Sequence, residues 1–404
     1  MPADTRRAVC PDCRSAPRCD ETGGVHPVTV SRNDTPLPDE QRRAILDAPV
    51  FGQDFSDHMV TMRWRDGEWG PLELGPFAPL ALSPATLALH YGQSIFEALK
   101  AYALADGSVA LFRPDRNAER MAESARRIAM PELPAGVFEQ ACELLVDADR
   151  AWVPTADGSS LYVRPFMFAS EPHLSVRPAD EYLFVVIASP AASYFGPHPR
   201  AITVAVEPSD VRATPGGTGA VKFAGNYAAG FAAHGRAGSA GHDQVLWLDA
   251  VEHRWVEELN AMNVVFVWRR DGRTVLSTPP LSGTILAGVT RDSLLTIAAD
   301  AREPGGPSDG AGIDEVLVRR TSIDEVVEGL ADGSLLEVFA CGTAAVIAPI
   351  GRLAHDGRDL TVGDGEPGPI TMELRRRLLD VQYGRSEDRH GWRSVVTSRP
   401  GTPP

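Results

Sequence analysis

A Pro/Gly-rich break at 190–199 divides this chain of 404 residues into two blocks, and it constrains the fold more than any other feature. Just before it, 161–168 and 182–188 are dense in β-branched and aromatic residues, which read as buried strands closing an α+β unit. Just after it, 201–206 opens a second block of mixed strands and helices. The break has the composition of an interdomain linker. The expectation is two α+β domains at 36–190 and 201–383, a linker at 191–200, and tails at 1–35 and 384–404 without hydrophobic periodicity.

Within the first block, 55–65 alternates, Asp66-Gly67 supplies a turn, and 72–74 completes a hairpin. An apolar face at helical spacing predicts a helix over 91–100, followed by a strand at 109–112. Amphipathic helices are expected over 117–128 and 137–152, and a surface loop over 304–312.

A formal charge of -15 argues against a nucleic-acid surface, which needs clustered Lys and Arg. No apolar run has the length of a membrane span, and no signal pattern opens the chain, so a cytoplasmic protein acting on small molecules is expected. Cys10 and Cys13 form a C-x2-C, but no second pair or His cluster completes a metal site. With Cys19 they read as free thiols in a tail, while Cys142 falls in a helical pattern and Cys341 near the C-terminal third, and no metal is expected.

Lysine is nearly absent. The 39 basic residues include only Lys100 and Lys222, so each retained lysine asks for a reason. Lys222 lies in GGTGAVKFAGNY, behind Gly216, Gly217 and Gly219, where backbone can approach a ligand closely. A desolvated lysine in such a loop can bond covalently to an aldehyde cofactor. A plain glycine-rich turn is the alternative reading of this motif alone.

The run resembles the cofactor-lysine segment of the class IV pyridoxal 5′-phosphate (PLP) aminotransferases, the branched-chain aminotransferase group in particular. The resemblance extends over about 35–383, through LHYGQSIFEALKAY (89–102), LFRPDRNAERM (111–121), SLYVRPFMFASEPHLSV (160–176), QVLWLD (244–249), VEELNAMNVVFVW (256–268), LSGTILAGVTRDSLL (281–295) and EVFACGTAAVIAPI (337–350). It implies the two-domain fold type IV, with PLP in the interdomain cleft, and ping-pong transfer between L-leucine, L-isoleucine or L-valine and 2-oxoglutarate.

Site residues carried over by the resemblance are these. Lys222 holds the cofactor and shuttles protons. Arg120, the Gly288-Val289-Thr290 helix start and Thr343 receive the phosphate, the helix through its N-terminal N–H groups. Glu258 faces the ring nitrogen, with Glu257 outward, while Tyr227 meets the phenolic oxygen and Arg212 supports the ring. Phe96, Tyr162, Arg164 and Tyr194 match the substrate pocket, and the turn at Ala344 meets the α-carboxylate. Tyr91, Leu174 and Val176 match positions that the neighbouring subunit supplies in the family, which implies a homodimer with composite sites. Lys100 has no catalytic counterpart and reads as structural.

Several positions depart from the family pattern. Ala98, Ala224, the pair Asn260-Ala261 and Ala287 stand where the family has Gly, Gly, a smaller pair and Pro, and Ala345 and Ala348 replace the Cys-x-x-Cys of some relatives. Added methyl groups narrow pockets, so the side-chain preference stays open. The alternatives are a D-amino-acid aminotransferase, an aminodeoxychorismate-lyase-like enzyme, or a PLP-binding paralogue without activity.

Overall fold

The computed structural model describes residues 26–192, 199–300 and 312–398. Among them two sheets dominate, with helices packed on their faces, so the chain is α+β. The first sheet runs Val28–Val30, Leu72–Pro76, His58–Arg65, Tyr182–Ala191, Ser160–Ala169, Leu99–Ala103, Val109–Phe112, Arg393–Val395. Two short strands join it: Glu68–Trp69 pairs with His58–Arg65, and Ser94–Phe96 with Ser160–Ala169.

The second sheet curls on itself. Its order is Val256–Leu259, Gln244–Leu248, Ile202–Val206, Val346–His355, Leu335–Gly342, Asn263–Arg270, and an additional pairing of Val256–Leu259 with Asn263–Arg270 closes these six into a ring. The closing contact is Glu258 opposite Asn263. The sequence of Asn263–Arg270 shows why the ring holds. Val264, Phe266 and Trp268 enter one core while Val265 and Val267 enter another, so the strand is apolar on both faces. The second of these cores packs Leu294 and Ile297 of the helix Val289–Asp300 and Leu374 and Leu378 of Pro369–Gln382 against the ring. Tyr102 and Phe112 of the first sheet join that core, which ties the two sheets together.

Four expectations need correction. The span 91–100 is not a helix: Leu87–Tyr91 stops at Gly92, whose left-handed φ of 68° is an ordinary helix end, and Ser94–Phe96 and Leu99–Ala103 follow as strands. Ser94–Phe96 is too short to show a period of two, and Leu99–Ala103 is buried on both faces, so its apolar residues show none. The segment after Gly384 is not simply a tail, because Arg393–Val395 pairs with Val109–Phe112 and Trp392 packs edge-on to Phe112. Likewise Val28–Val30 pairs with Leu72–Leu74, inside the expected N-terminal tail. Pro190 and Ala191 extend the strand Tyr182–Ala191, where Pro190 lies opposite Leu161. Cys10, Cys13 and Cys19, most of the 190–199 break and nearly all of 304–312 lie outside the described residues. Cys142 and Cys341 are buried free thiols. Among the described residues no helix is long and apolar enough to cross a membrane, and no His, Cys, Asp and Glu cluster could hold a metal ion.

Candidate active site

Lys222 is fixed by the helix Pro114–Arg127 and by the strand Ser94–Phe96 of the first sheet. Its backbone N–H donates to Ser124 Oγ at 3.0 Å, its carbonyl accepts from Phe96 N–H at 3.1 Å, and Ile95 bridges to Phe223. Gly219, three residues earlier, has to be glycine, since a Cβ would overlap Ala213 and the Thr284 carbonyl. The short helix Ala224–Ala228 then sets Tyr227 one turn ahead, and Lys222 Nζ donates to its hydroxyl at 3.0 Å. The ammonium also lies 4.7 Å above the Phe96 ring. No carboxylate is within ion-pair distance of it among the described residues. The amine is therefore buried with one hydrogen-bond partner at the lining of the cleft.

Alternation along Val256–Leu259 turns Glu258 into the same cleft. Glu258 is 4% exposed and meets Arg212 at 2.7 Å and Asn263 Nδ2 at 2.8 Å. Burial pushes its carboxyl up to about 7, against the pull of the Arg212 guanidinium. Glu257 takes the opposite face, as expected, but is buried rather than solvent-facing, with the Thr284 hydroxyl donating to it. Arg212 reaches from the Glu258 carboxylate to the carbonyls of Gly219 and Thr284, which joins the Lys222 loop to the ring.

On the other side of the cleft, the helix Val289–Asp300 begins as expected at Gly288-Val289-Thr290. The N–H groups of Val289, Thr290 and Arg291 donate to no described residue, so the helix presents its positive end to the cleft. Arg120, on Pro114–Arg127, stands beside it. A bidentate pair with the fully buried Glu97 takes its Nε and Nη2, both at 2.7 Å, and the Ala287 carbonyl accepts from Nη1 at 2.9 Å. Asn117 accepts from Nη2 at 3.4 Å, so one Nη1 hydrogen of the five remains. Desolvation, the largest influence, lowers this guanidinium, but the charge and hydrogen bonds of Glu97 together with Tyr227 and Tyr162 outweigh it and hold Arg120 above its usual range. Thr343 lines the same cleft, with its hydroxyl donating to the Ala98 carbonyl at 3.3 Å.

A mixed aromatic and cationic wall continues from Lys222. The Phe96 and Tyr227 rings are 4.8 Å apart, and Arg164 sits 4.9 Å over Phe96 and 5.3 Å from Tyr162. Arg164 donates to the Tyr162 hydroxyl at 3.1 Å and has no carboxylate partner among the described residues, while its Nε is buried without a partner. Ala344 packs on Tyr162, Ala98 and Ala191, so the departure at Ala98 places its methyl group in this wall.

Three residues expected to serve the site of a neighbouring subunit lie away from this chain's own cleft. Tyr91, Leu174 and Val176 gather at the surface, 43%, 60% and 84% exposed, with the Tyr91 hydroxyl donating to the Leu174 carbonyl at 2.6 Å. Tyr194 lies outside the described residues. Sequence reading missed Glu97, Ser124 and Asn263 as site residues. Nothing local announces Ser124. The i, i+3 spacing of Asn117 and Arg120 pointed to that face of the helix, and Asn263 followed Met262 only as a landmark. Asn260, another departure, is turned to Trp247 Nε1 at 2.7 Å and His234 Nδ1 at 3.1 Å.

A lone buried amine, a buried carboxylate and an open helix N-terminus around one cleft define the site of an enzyme built to hold a phosphorylated, nitrogen-containing cofactor. The family model of amino-transferase class IV matches residues 94–352. A branched-chain-amino-acid aminotransferase of Mycolicibacterium smegmatis is 48% identical over 366 residues, 90% of this chain and 96% of that one. A probable branched-chain-amino-acid aminotransferase of Streptomyces coelicolor is 50% identical over 359 residues, 88% and 95% of the two chains. Among solved structures, the T.th. branched-chain amino acid aminotransferase with pyridoxamine 5′-phosphate superposes with a TM-score of 0.65 at 29% identity, covering 83% of this chain and 98% of that one. The Escherichia coli enzyme gives 0.63 at 27% identity, covering 84% and 99%. The chain belongs to the class IV aminotransferases, and within them to the branched-chain aminotransferase group.

Proposed function

We propose that the protein transfers amino groups between L-leucine, L-isoleucine or L-valine and 2-oxoglutarate, with PLP held covalently by Lys222. The observation that carries this is one cleft lined by the Lys222 amine, which has the Tyr227 hydroxyl but no carboxylate as partner among the described residues, by Glu258 and by the free N-terminus of Val289–Asp300. The residues fit the cofactor: three unpaired helix N–H groups and one Arg120 hydrogen suit a dianionic phosphate, the Thr343 hydroxyl can join them by turning from the Ala98 carbonyl, and a buried carboxylate suits a protonated pyridine.

When bound, PLP supplies an electron sink for the bond to be broken at substrate Cα. Glu258 would keep the ring nitrogen protonated, and a cationic partner there would stabilise the carboxylate, which burial disfavours against the pull of Arg212 so that its carboxyl stands at about 7. Arg212 and Asn263 fix that carboxylate in place. Tyr227 hydrogen-bonds the phenolic oxygen. The Lys222 amine, which lies against the Phe96 ring, would serve as the base that takes the proton from substrate Cα and as the acid that gives it back. Phe96 and Tyr162 contact the branched side chain, and Arg164 receives the second carboxylate of glutamate. The turn at Ala344 offers backbone N–H groups to the α-carboxylate.

A second copy of the chain supplies Tyr91, Leu174 and Val176 to the site, so the active form is a homodimer with composite sites, in the cytoplasm. Tyr194 belongs to the same pocket. The test is product analysis of each half-reaction. Holoenzyme mixed with L-leucine, L-isoleucine or L-valine should release one equivalent of the matching 2-oxo acid per site, and 2-oxoglutarate should then yield L-glutamate. Release from D-alanine with none from the branched L-amino acids would replace this reading by that of a D-amino-acid aminotransferase.

A further inference from the structure

Of the two lysines, the proposed function uses Lys222 and leaves Lys100 without a task. Lys100 lies in Leu99–Ala103 opposite Tyr162 in register, so its side chain leaves the first sheet on the face that carries the substrate wall. It is 6% exposed, and burying an ammonium is costly unless something compensates. Its one hydrogen bond among the described residues crosses to the second ring, where Nζ donates to the Ala344 carbonyl at 3.0 Å. Burial, with the like charge of Arg375 behind it, brings Lys100 down to about 8, so the ammonium remains the major form at neutral pH.

The turn it holds is unusual in two ways. Val346, just after it, has φ of 61°, a left-handed conformation that a β-branched residue adopts only when its surroundings impose it. The N–H groups of Thr343, Ala344 and Ala345 donate to no described residue. In a trans peptide the C=O and N–H point in opposite directions. A cation on the Ala344 carbonyl therefore turns the Ala345 N–H away from itself and polarises it. Consecutive free N–H groups with a positive charge behind them form a receptor for an anion.

We propose that Lys100 is a positioning residue for the α-carboxylate of every substrate, clamping the Thr343–Ala345 turn from behind so that its N–H groups face the cleft. This rests on the function proposed above. It predicts an effect shared by both half-reactions, unlike that of Arg164, because leucine and glutamate carry the same α-carboxylate.

The experiment compares wild type, Lys100→Met and Lys100→Arg as holoenzymes. The probes are 4-methylpentanoate, which is leucine without its amino group, and the neutral 4-methylpentanamide. Dissociation constants come from absorbance titration, with cofactor content measured alongside. Lys100→Met is expected to retain cofactor and to lower the ratio of acid to amide affinity by about tenfold or more. KM for leucine and glutamate should rise together, with kcat within a few-fold, and Lys100→Arg should restore most of the ratio. If Lys100→Met does not fold, Lys100→Gln, which keeps a hydrogen-bond donor but no charge, should still lower the ratio several-fold. A ratio unchanged in these variants overturns the role of Lys100 while leaving the functional reading intact. A wild type that neither binds the acid nor releases a 2-oxo acid from leucine overturns both.

Discussion

Replacing Arg164 by methionine should separate the two substrates of this enzyme. The pocket has to accept a branched aliphatic chain in one half-reaction and a second carboxylate in the other. Arg164 is suited to the second task because its guanidinium lacks a carboxylate partner among the described residues. The Tyr162 hydroxyl takes one hydrogen, and Nε stays buried without a partner. A hydrogen bond from a guanidinium to a carboxylate is worth roughly 1.5 to 3 kcal/mol, whereas leucine offers that group nothing. At about 1.4 kcal/mol per factor of ten, Arg164→Met should lower kcat/KM for glutamate and 2-oxoglutarate by about ten- to a hundredfold. Leucine should stay within a few-fold, since methionine keeps apolar contact with Phe96 and Tyr162. Single-turnover kinetics of each half-reaction is the assay. Equal losses for leucine and glutamate would show that Arg164 only braces its strand, and no loss for glutamate would show that another group reads the second carboxylate.

Glu258→Gln should retain the cofactor but slow turnover strongly. It also bears on stability without cofactor. The Glu258 carboxyl is raised by burial from 4.5 to about 7, so the fold favours its neutral form. That contribution is complete below about pH 4.5 and is lost as pH rises through 7, by up to roughly 3 kcal/mol. Urea denaturation of cofactor-free wild type and Glu258→Gln should therefore diverge between pH 5 and 8, and parallel pH profiles would contradict the burial argument. Gly288→Ala would place a methyl group on Asn263 Oδ1, so Asn263 must release Glu258 and the Leu286 carbonyl. Cofactor affinity should fall about tenfold or more, and equilibrium dialysis showing wild-type affinity would refute that packing.

Much of this site was legible because its residues sit in contiguous motifs whose chemistry is local. Lys222 and Tyr227 are five residues apart in one motif, and the helix opening at Val289 follows directly from Gly288. What stayed hidden was long-range. Glu97 is meaningful only because Arg120 folds onto it, and Asn263 only because ring closure sets it opposite Glu258. The strands at Ser94–Phe96 and Leu99–Ala103 read as a helix because the first is only three residues long and burial on both faces of the second erased its alternation. Arg393–Val395 is too short to signal itself, and its place comes from pairing with a strand far earlier in the chain, Val109–Phe112.

The central claim is that Lys222 carries the cofactor, and a chain with only two lysines allows a nearly binary test. Holoenzyme would be treated with borohydride, which reduces a lysine–PLP linkage to a stable bond, then digested and sequenced by mass spectrometry. The phosphopyridoxyl group should sit on the peptide containing Lys222 at close to one equivalent per chain, with none on Lys100, and Lys222→Ala should fold but take up no label. A label on Lys100, or full turnover by Lys222→Ala, would contradict the account.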